Sequence, residues 1–417
     1  MCAIMTRKTF LSTAVGVPAV VRNVSASDTI GIGHIGIGTR GGDLVKDVLK
    51  TTGGKIVAVC DVYRPHVEKG ARMCGNPEAK RYSDYRDVLA DKNVNAVVIA
   101  TPDHWHSKML ADACEAGKDV YIEKGWTRTV EEAKAMRATV KRTGRIMQLG
   151  HQGRQYAAAI QARELIEQGY LGPVTLVTTG RCGNTPMEHA TWRWYGYYNI
   201  WDRPDAAQVV KDLDWERWLG PAPKRPFSME RFWHWRCYWD YGTGVAGDLL
   251  SHELDYVQSV LRYGIPDLCS NLGGVHLLQD GREAPDTTST TFEFEKQNCA
   301  VTFVSSMNSA QPLTPEFRGK YATLRFNRIG QDANDFEVIG ERSAGKYGGG
   351  VIRKFDAAAT PAQPSHMQEF LNCVRERRKT KCNEDEAFIE AVTFILSVVA
   401  YREKRVVRWD REKELIV

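Results

Sequence analysis

Three short stretches carry side chains able to do chemistry together. Tyr121-Ile122-Glu123-Lys124-Gly125 ends an apolar run on a carboxylate and an amine, and Thr101-Pro102-Asp103-His104-Trp105-His106 follows another apolar run. In Gly247-Asp248-Leu249-Leu250-Ser251-His252, an acid and an imidazole stand four residues apart. A helix beginning near Gly247 sets Asp248 and His252 on one face. This set suits hydride transfer from an alcohol. The alcohol must also lose its hydroxyl proton, and histidine accepts protons near neutral pH. A lysine beside the same oxygen stabilises its developing negative charge. The aspartate then orients a hydroxyl or raises the basicity of the histidine. Singly, each has a plainer explanation: a solvated Glu-Lys pair, or a capped helix with a satisfied histidine. His104 and His106 lack a third ligand, so no metal is expected.

A partner for such chemistry is implied near the start of the chain. Ile35-Gly36-Ile37-Gly38-Thr39-Arg40-Gly41 lies between an expected strand, Ile30 to Ile35, and an expected helix beginning by Asp43. About twenty residues on, a second strand ends on Asp61. In this context the first glycine makes a tight turn and the second lets backbone approach a pyrophosphate. The third allows the helix to pack closely on the sheet. The helix N-terminus offers N–H groups to the phosphates, and Asp61 can hold ribose hydroxyls. These residues predict dinucleotide binding. A carboxylate there repels a 2′-phosphate and favours NAD over NADP, although Arg64 lies close by.

Strands at 94–100, 119–122 and 146–149 alternate with helices at 107–116 and 130–142, which predicts a parallel, doubly wound sheet. After Gly150 a helix at 157–168 and a strand at 174–180 lead into a stretch dense in aromatics. A hairpin through Lys296-Gln297-Asn298 and a loop at 346–350 follow. Amphipathic helices at 365–377 and 386–403 close the chain. The fold class expected is α/β, with residues 28–150 as a Rossmann domain. Residues 151–417 are expected to form an α+β domain with a large, mainly antiparallel open sheet.

Eight of the eleven tryptophans fall between Trp192 and Trp239. Sugars stack their C–H faces on aromatic rings, so Trp192, Trp194, Tyr197, Trp233 and Trp235 are candidate lining for a carbohydrate cleft. Ordinary packing is the alternative. Arg193, Arg231 and Arg236 suit an acidic sugar, or stack on the aromatics, or pair with Asp202 and Glu230. The net charge of +5, without basic runs interleaved with aromatics, gives no reason to expect nucleic acid. Ten scattered cysteines lack paired spacing and read as small core residues.

Thr6-Arg7-Lys8-Thr9-Phe10-Leu11, an apolar stretch and Val24-Ser25-Ala26 read as an export signal over residues 1–27, too short to span a membrane. Its form is similar to a twin-arginine leader with Lys8 in place of the second arginine. A periplasmic or otherwise exported location is expected, or a cytoplasmic one if the leader does not function.

Together these stretches resemble the glucose–fructose oxidoreductase / inositol dehydrogenase / rhizopine-catabolism (Gfo/Idh/MocA) family across nearly the whole chain beyond the leader. The resemblance implies an NAD-dependent oxidoreductase of a sugar or glycoside, and a homo-oligomer, dimer or tetramer. Gly36, Gly38, Thr39, Arg40, Gly41 and Asp61 match the cofactor turn and ribose acid. Thr101, Pro102, His106, Glu123, Lys124 and Gln152 join them as cofactor contacts. Lys124 is implied as catalytic, with Asp248 the substrate-binding acid and His252 the catalytic histidine. The family's Glu-Lys-Pro signature ends here on Gly125, so the turn behind Lys124 is expected to be less rigid. An exported member has no free nicotinamide pool to draw on. The alternative is therefore a redox-neutral, NAD-using glycosidase or epimerase that holds its cofactor tightly.

Overall fold

The computed structural model describes residues 29–184, 205–327 and 335–417. Six strands carry the first half: β1 (Ile30–Ile35), β2 (Gly54–Cys60), β3 (Lys80–Tyr82), β4 (Ala96–Ile99), β5 (Asp119–Ile122) and β6 (Met147–Leu149). They form a parallel sheet in the order β3-β2-β1-β4-β5-β6. Every residue of β1, β4 and β5 is buried, and their mainly apolar sequences, broken only by His34 and Asp119, fit burial on both faces. The order reverses between β1 and β4, so ligands lie beyond the carboxyl ends of those two strands. The short edge strand β3, which has no apolar pattern, was not expected.

The second sheet holds eleven strands among the described residues. Its centre is β7 (Val174–Asn184), β8 (Leu268–Gly274), β9 (Thr287–Phe294) and β10 (Cys299–Ser306). β9 and β10 form the expected hairpin, in register from Cys299 opposite Phe294 to Ser306 opposite Thr287. Neighbours are antiparallel except β7 and β10, which run parallel. The alternating burial of β9 and β10 leaves one face packed on helices.

Two terminal helices tie the halves together. Helix His366–Glu376, capped by Ser365, packs in the core beneath β1. Helix Glu384–Glu403, capped by Asn383, lies against helix Val130–Thr143 and β8. The latter is not amphipathic as expected. It is buried nearly all round, with Glu390, Thr393 and Ser397 turned inward beside its apolar residues. The expected loop at 346–350 is anchored, since Tyr347 stacks on Tyr170 and donates its hydroxyl proton to the Tyr170 carbonyl. The described cysteines are all free, and most are buried.

Candidate active site

A cleft of about 1610 Å³ runs along the carboxyl ends of β1, β2, β4 and β5 to the helix carrying His252. That exceeds the usual ~300–1,000 Å³ of a site for one small ligand and leaves room for two. Gly36, Gly38, Thr39, Arg40, Asp61, Thr101, Pro102, Glu123, Lys124, Trp233, Trp235, Arg236, Asp248 and His252 all line it.

One end is built for an anion with a ribose. Gly36 adopts φ +86°, and a Cβ there would sit 2.6 Å from the Ala100 carbonyl oxygen. A Cβ on Gly41 would lie 2.0 Å from the Gly36 carbonyl oxygen, so Gly41 serves packing behind the cleft wall. Gly38 begins helix Thr39–Leu49 with no side-chain cap and no acid in the first turn. A Cβ there would meet only His66 Cε1, at 4.0 Å. The first turn of the helix and the positive end of its dipole therefore face the cleft with no side-chain cap across them. Asp61 accepts hydrogen bonds from the Ile37 N–H at 2.8 Å and the Tyr63 N–H at 3.0 Å, and its Oδ2 lies 3.1 Å from His66 Nδ1. Burial opposes its charge, but His66 and the two N–H groups outweigh burial and hold the carboxyl below its usual range. Arg64 is turned aside to pair with Asp212. These features fit an NAD pyrophosphate and adenosine ribose.

At the other end, Lys124 Nζ donates to Asp248 Oδ1 at 2.5 Å and to the Asp248 carbonyl at 2.7 Å. Arg236 Nε donates to the same Oδ1 at 3.2 Å while its guanidinium lies 4.0 Å from the centre of the Trp235 ring. Asp248 thus holds Lys124 and Arg236 rather than raising the basicity of His252. Its segment is a π turn, Ala246–Leu250, followed by helix Ser251–Leu261, in place of one regular helix. The His252 imidazole has a pKa well below its ordinary value, through burial and then through Lys124, His151 and Arg181.

The turn behind Lys124 is not loose. Gly125 sits at φ +72°, which proline cannot adopt, and a Cβ there would meet Asp103 Oδ1 at 2.6 Å. Its carbonyl lies 3.0 Å from His106 Nδ1, and His106 Nε2 is 3.0 Å from the Thr101 carbonyl. His106 is therefore a buried brace between two cleft turns, not a cleft residue. Gln152 also stands behind the wall, donating to the Tyr121 hydroxyl. His104 and Trp105 both reach the Trp218 carbonyl, at 2.9 Å each, locking this stretch to the aromatic segment.

Trp233 packs edge-on against Tyr63 and lies 6.4 Å from His66, so it belongs to the nucleotide end. Trp235 is the expected tryptophan that stands beside Asp248. Trp192, Trp194 and Tyr197 lie outside the described residues, as do Arg193, Asp202 and residues 1–28. Arg231 pairs with Asp240 and Glu283. Arg40 and Glu123, both expected at the cofactor, are bonded to each other at 2.9 Å, a pairing the sequence does not show; Arg181, bonded to Glu253 at 3.0 Å, was missed. Asp103 is another: burial pushes its carboxyl up to about 8, with Asp248 adding to the shift against Arg236 and Lys124. No motif spacing marks these partners, because each joins distant segments. Among the described residues, no helix is long and apolar enough to cross a membrane, and no group of three or more His, Cys, Asp or Glu is disposed to hold a metal.

Three family models match the chain. An "Oxidoreductase family, NAD-binding Rossmann fold" matches residues 30–151. Two "Oxidoreductase family, C-terminal alpha/beta domain" models match residues 142–265 and 222–408. A scyllo-inositol 2-dehydrogenase (NAD(+)) of Bacillus subtilis strain 168 is 35% identical over 139 residues, covering 33% of this chain and 40% of that protein. A "Glycosyl hydrolase family 109 protein" of Shewanella sp. strain W3-18-1 is 25% identical over 187 residues, 41% of this chain and 40% of its own length. The chain thus matches less than half the length of these relatives. In fold, it is similar to a levoglucosan dehydrogenase solved with NADH and L-sorbose, at TM-score 0.70 and 17% identity, covering 91% of this chain and 99% of that one. It is also similar to the aldose–aldose oxidoreductase of Caulobacter crescentus solved with glycerol, at TM-score 0.69 and 18% identity, with the same coverage.

Proposed function

Since the chain belongs to the Gfo/Idh/MocA oxidoreductase family, with an NAD-binding Rossmann fold, we propose that it oxidises a hydroxyl of a neutral sugar, polyol or glycoside. The observation that carries this reading is the meeting of Lys124, Asp248 and His252 in one cleft with the uncapped glycine turn. NAD, when bound, supplies the hydride acceptor. His252 takes the hydroxyl proton through the ring nitrogen that faces the cleft. Lys124, held by Asp248, donates a hydrogen bond to the same oxygen and stabilises its growing charge. Trp235 offers a ring face to the sugar, and Arg236 is held against it. Buried cations and acids are paired in the cleft, which suits a neutral ligand over an acidic one.

A second reading has its own support. A transient keto-sugar has an acidified neighbouring C–H, so loss of a glycosidic leaving group becomes possible, with Asp103 as a protonated acid beside the site. A carboxyl at about 8 supplies that proton near neutral pH. The glycosyl hydrolase name of one relative favours the same outcome. The leader-like sequence at residues 1–27 supports export, where a retained cofactor is needed.

The test is to denature the protein as purified, identify released nucleotide by chromatography, and then supply polyols and aryl glycosides. Net NADH from a polyol supports the dehydrogenase. Stoichiometric bound NAD(H) with free aglycone and no net NADH supports the redox-neutral enzyme. Neither product from any substrate, with NAD bound, would refute both readings.

A further inference from the structure

Behind His252 stands a pair that the chemistry above does not use. His151 directly follows the turn after β6, and Glu390 lies in the middle of helix Glu384–Glu403. His151 Nδ1 is 3.3 Å from His252 Nδ1, and His151 Nε2 is 3.2 Å from Glu390 Oε1. The His151 and Glu390 side chains are 1% and 0% exposed. Glu390 Oε2 has no hydrogen-bond partner among the described residues, a costly arrangement for a buried carboxylate. A group left wanting a proton behind a candidate base calls for a role in moving one.

Burial raises the Glu390 carboxyl above its ordinary value and His151 opposes that shift; with the carboxyl ionised, the chain has one direction. An ionised Glu390 accepts the Nε2–H of His151, which leaves His151 Nδ1 as an acceptor. His252 must then donate Nδ1–H to it, so His252 Nε2 faces the cleft with a bare lone pair. We propose that His151 and Glu390 form the buried end of a proton relay that takes the substrate hydroxyl proton onward from His252. This rests on the reading of His252 as the base.

The step balances. The hydroxyl O–H breaks as its proton binds His252 Nε2, and its electron pair closes the C=O as hydride leaves the carbon for NAD. The Nδ1–H of His252 passes to His151 Nδ1. The result is a neutral His252 and a His151 imidazolium beside the Glu390 carboxylate. Ketone reduction runs the same path backwards. The surrounding charges drive the proton inward. Burial comes first at His252, and Lys124, His151, Arg181 and Arg40 all add to the opposition to charge there. Burial also opposes charge on His151, but Asp255 and Glu390 outweigh burial and Arg154 and raise its proton affinity. At low pH the relay is already loaded, and alcohol oxidation stops. The acid limb of the rate profile therefore belongs to His151, above the ordinary histidine range, rather than to His252.

The test is 15N-imidazole NMR on the full chain purified with NAD, with His151→Gln and His252→Ala used for assignment. Above the His151 midpoint, His252 is expected to carry its proton on Nδ1. In Glu390→Gln, which keeps an acceptor but drops the charge, the His151 midpoint falls by about one pH unit or more. The acid limb of kcat/KM follows it downward, which a merely structural role would not do. An Nε2–H tautomer of His252 in basic solution overturns the relay. So does a His151 midpoint that is the same in the wild type and in Glu390→Gln. If that variant does not fold, the wild-type tautomer alone decides. Full turnover by His252→Ala would instead overturn the parent reading.

Discussion

Replacing Gly125 will cost both stability and turnover, because two independent constraints meet there. The backbone sits at φ +72°, and a Cβ would lie 2.6 Å from Asp103 Oδ1 and 2.8 Å from its Cγ. An L-residue in the left-handed region costs about 1–2 kcal/mol. Overpacking against a buried side chain adds about 1–3 kcal/mol, for a total of about 2–5 kcal/mol in Gly125→Ala. Gly125→Pro fares worse. Its ring demands a negative φ, so the turn must flip and the contact between the Gly125 carbonyl and His106 breaks. The assay is the denaturant midpoint at constant slope, read beside kcat/KM. Asp103→Ala in the Gly125→Ala background separates the two constraints: it relieves the clash and leaves the backbone cost, recovering roughly half the stability. Wild-type stability in Gly125→Pro would refute this reasoning and mean that the turn behind Lys124 is the looser one expected from the sequence.

Other consequences are as direct. Lys124→Met will lower kcat by about 10²–10³-fold with NAD retained, as for loss of one oxyanion donor, measured by stopped-flow and nucleotide content. Trp235→Ala will raise KM by about tenfold, since losing one stacked ring and the platform for Arg236 is worth about 1–2 kcal/mol. Besides His252, burial holds four histidines neutral, pulling His34 and His104 down to about 3 and His106 and His366 down to about 4. The unfolded chain binds protons at these sites near 6.5 and the folded chain does not. Stability is therefore complete above about 6.5 and falls as pH drops towards the folded values, by about 2 kcal/mol apiece near pH 5. Chemical denaturation across that range checks it, and His34→Leu will flatten the dependence. Asp61→Ala will weaken NAD binding more than NADP binding, read by fluorescence titration of each.

Much of the frame was legible because its signals are local. The apolar run Ile30–Ile35, the helix stops at Gly144 and Gly169 and the Lys296-Gln297-Asn298 turn each act within a few residues. The glycine turn, Asp61, Lys124, Asp248 and His252 were legible because motif spacing and cleft position coincide. What escaped depends on meetings across the chain. His151 finds Glu390 across 239 positions, and Arg40 finds Glu123 across 83. His106 looked like a cleft residue by motif, yet the turn at Gly125 draws its ring inward. The helix Glu384–Glu403 read as amphipathic because Glu390, Thr393 and Ser397 are polar by type, but each is buried. Trp233 and Trp235 are neighbours in sequence, but the short helix Met229–Trp233 turns Trp233 towards Tyr63.

The most direct test of hydride transfer at this cleft is a single turnover of the NAD-loaded protein with carbon-deuterated polyols and sugars, followed by mass analysis of the released nucleotide. The account predicts deuterium on the reduced nicotinamide for at least one substrate, at a rate about 100-fold or more lower in Lys124→Met. Unlabelled nucleotide with every substrate, or equal labelling rates in Lys124→Met and wild type, would contradict it.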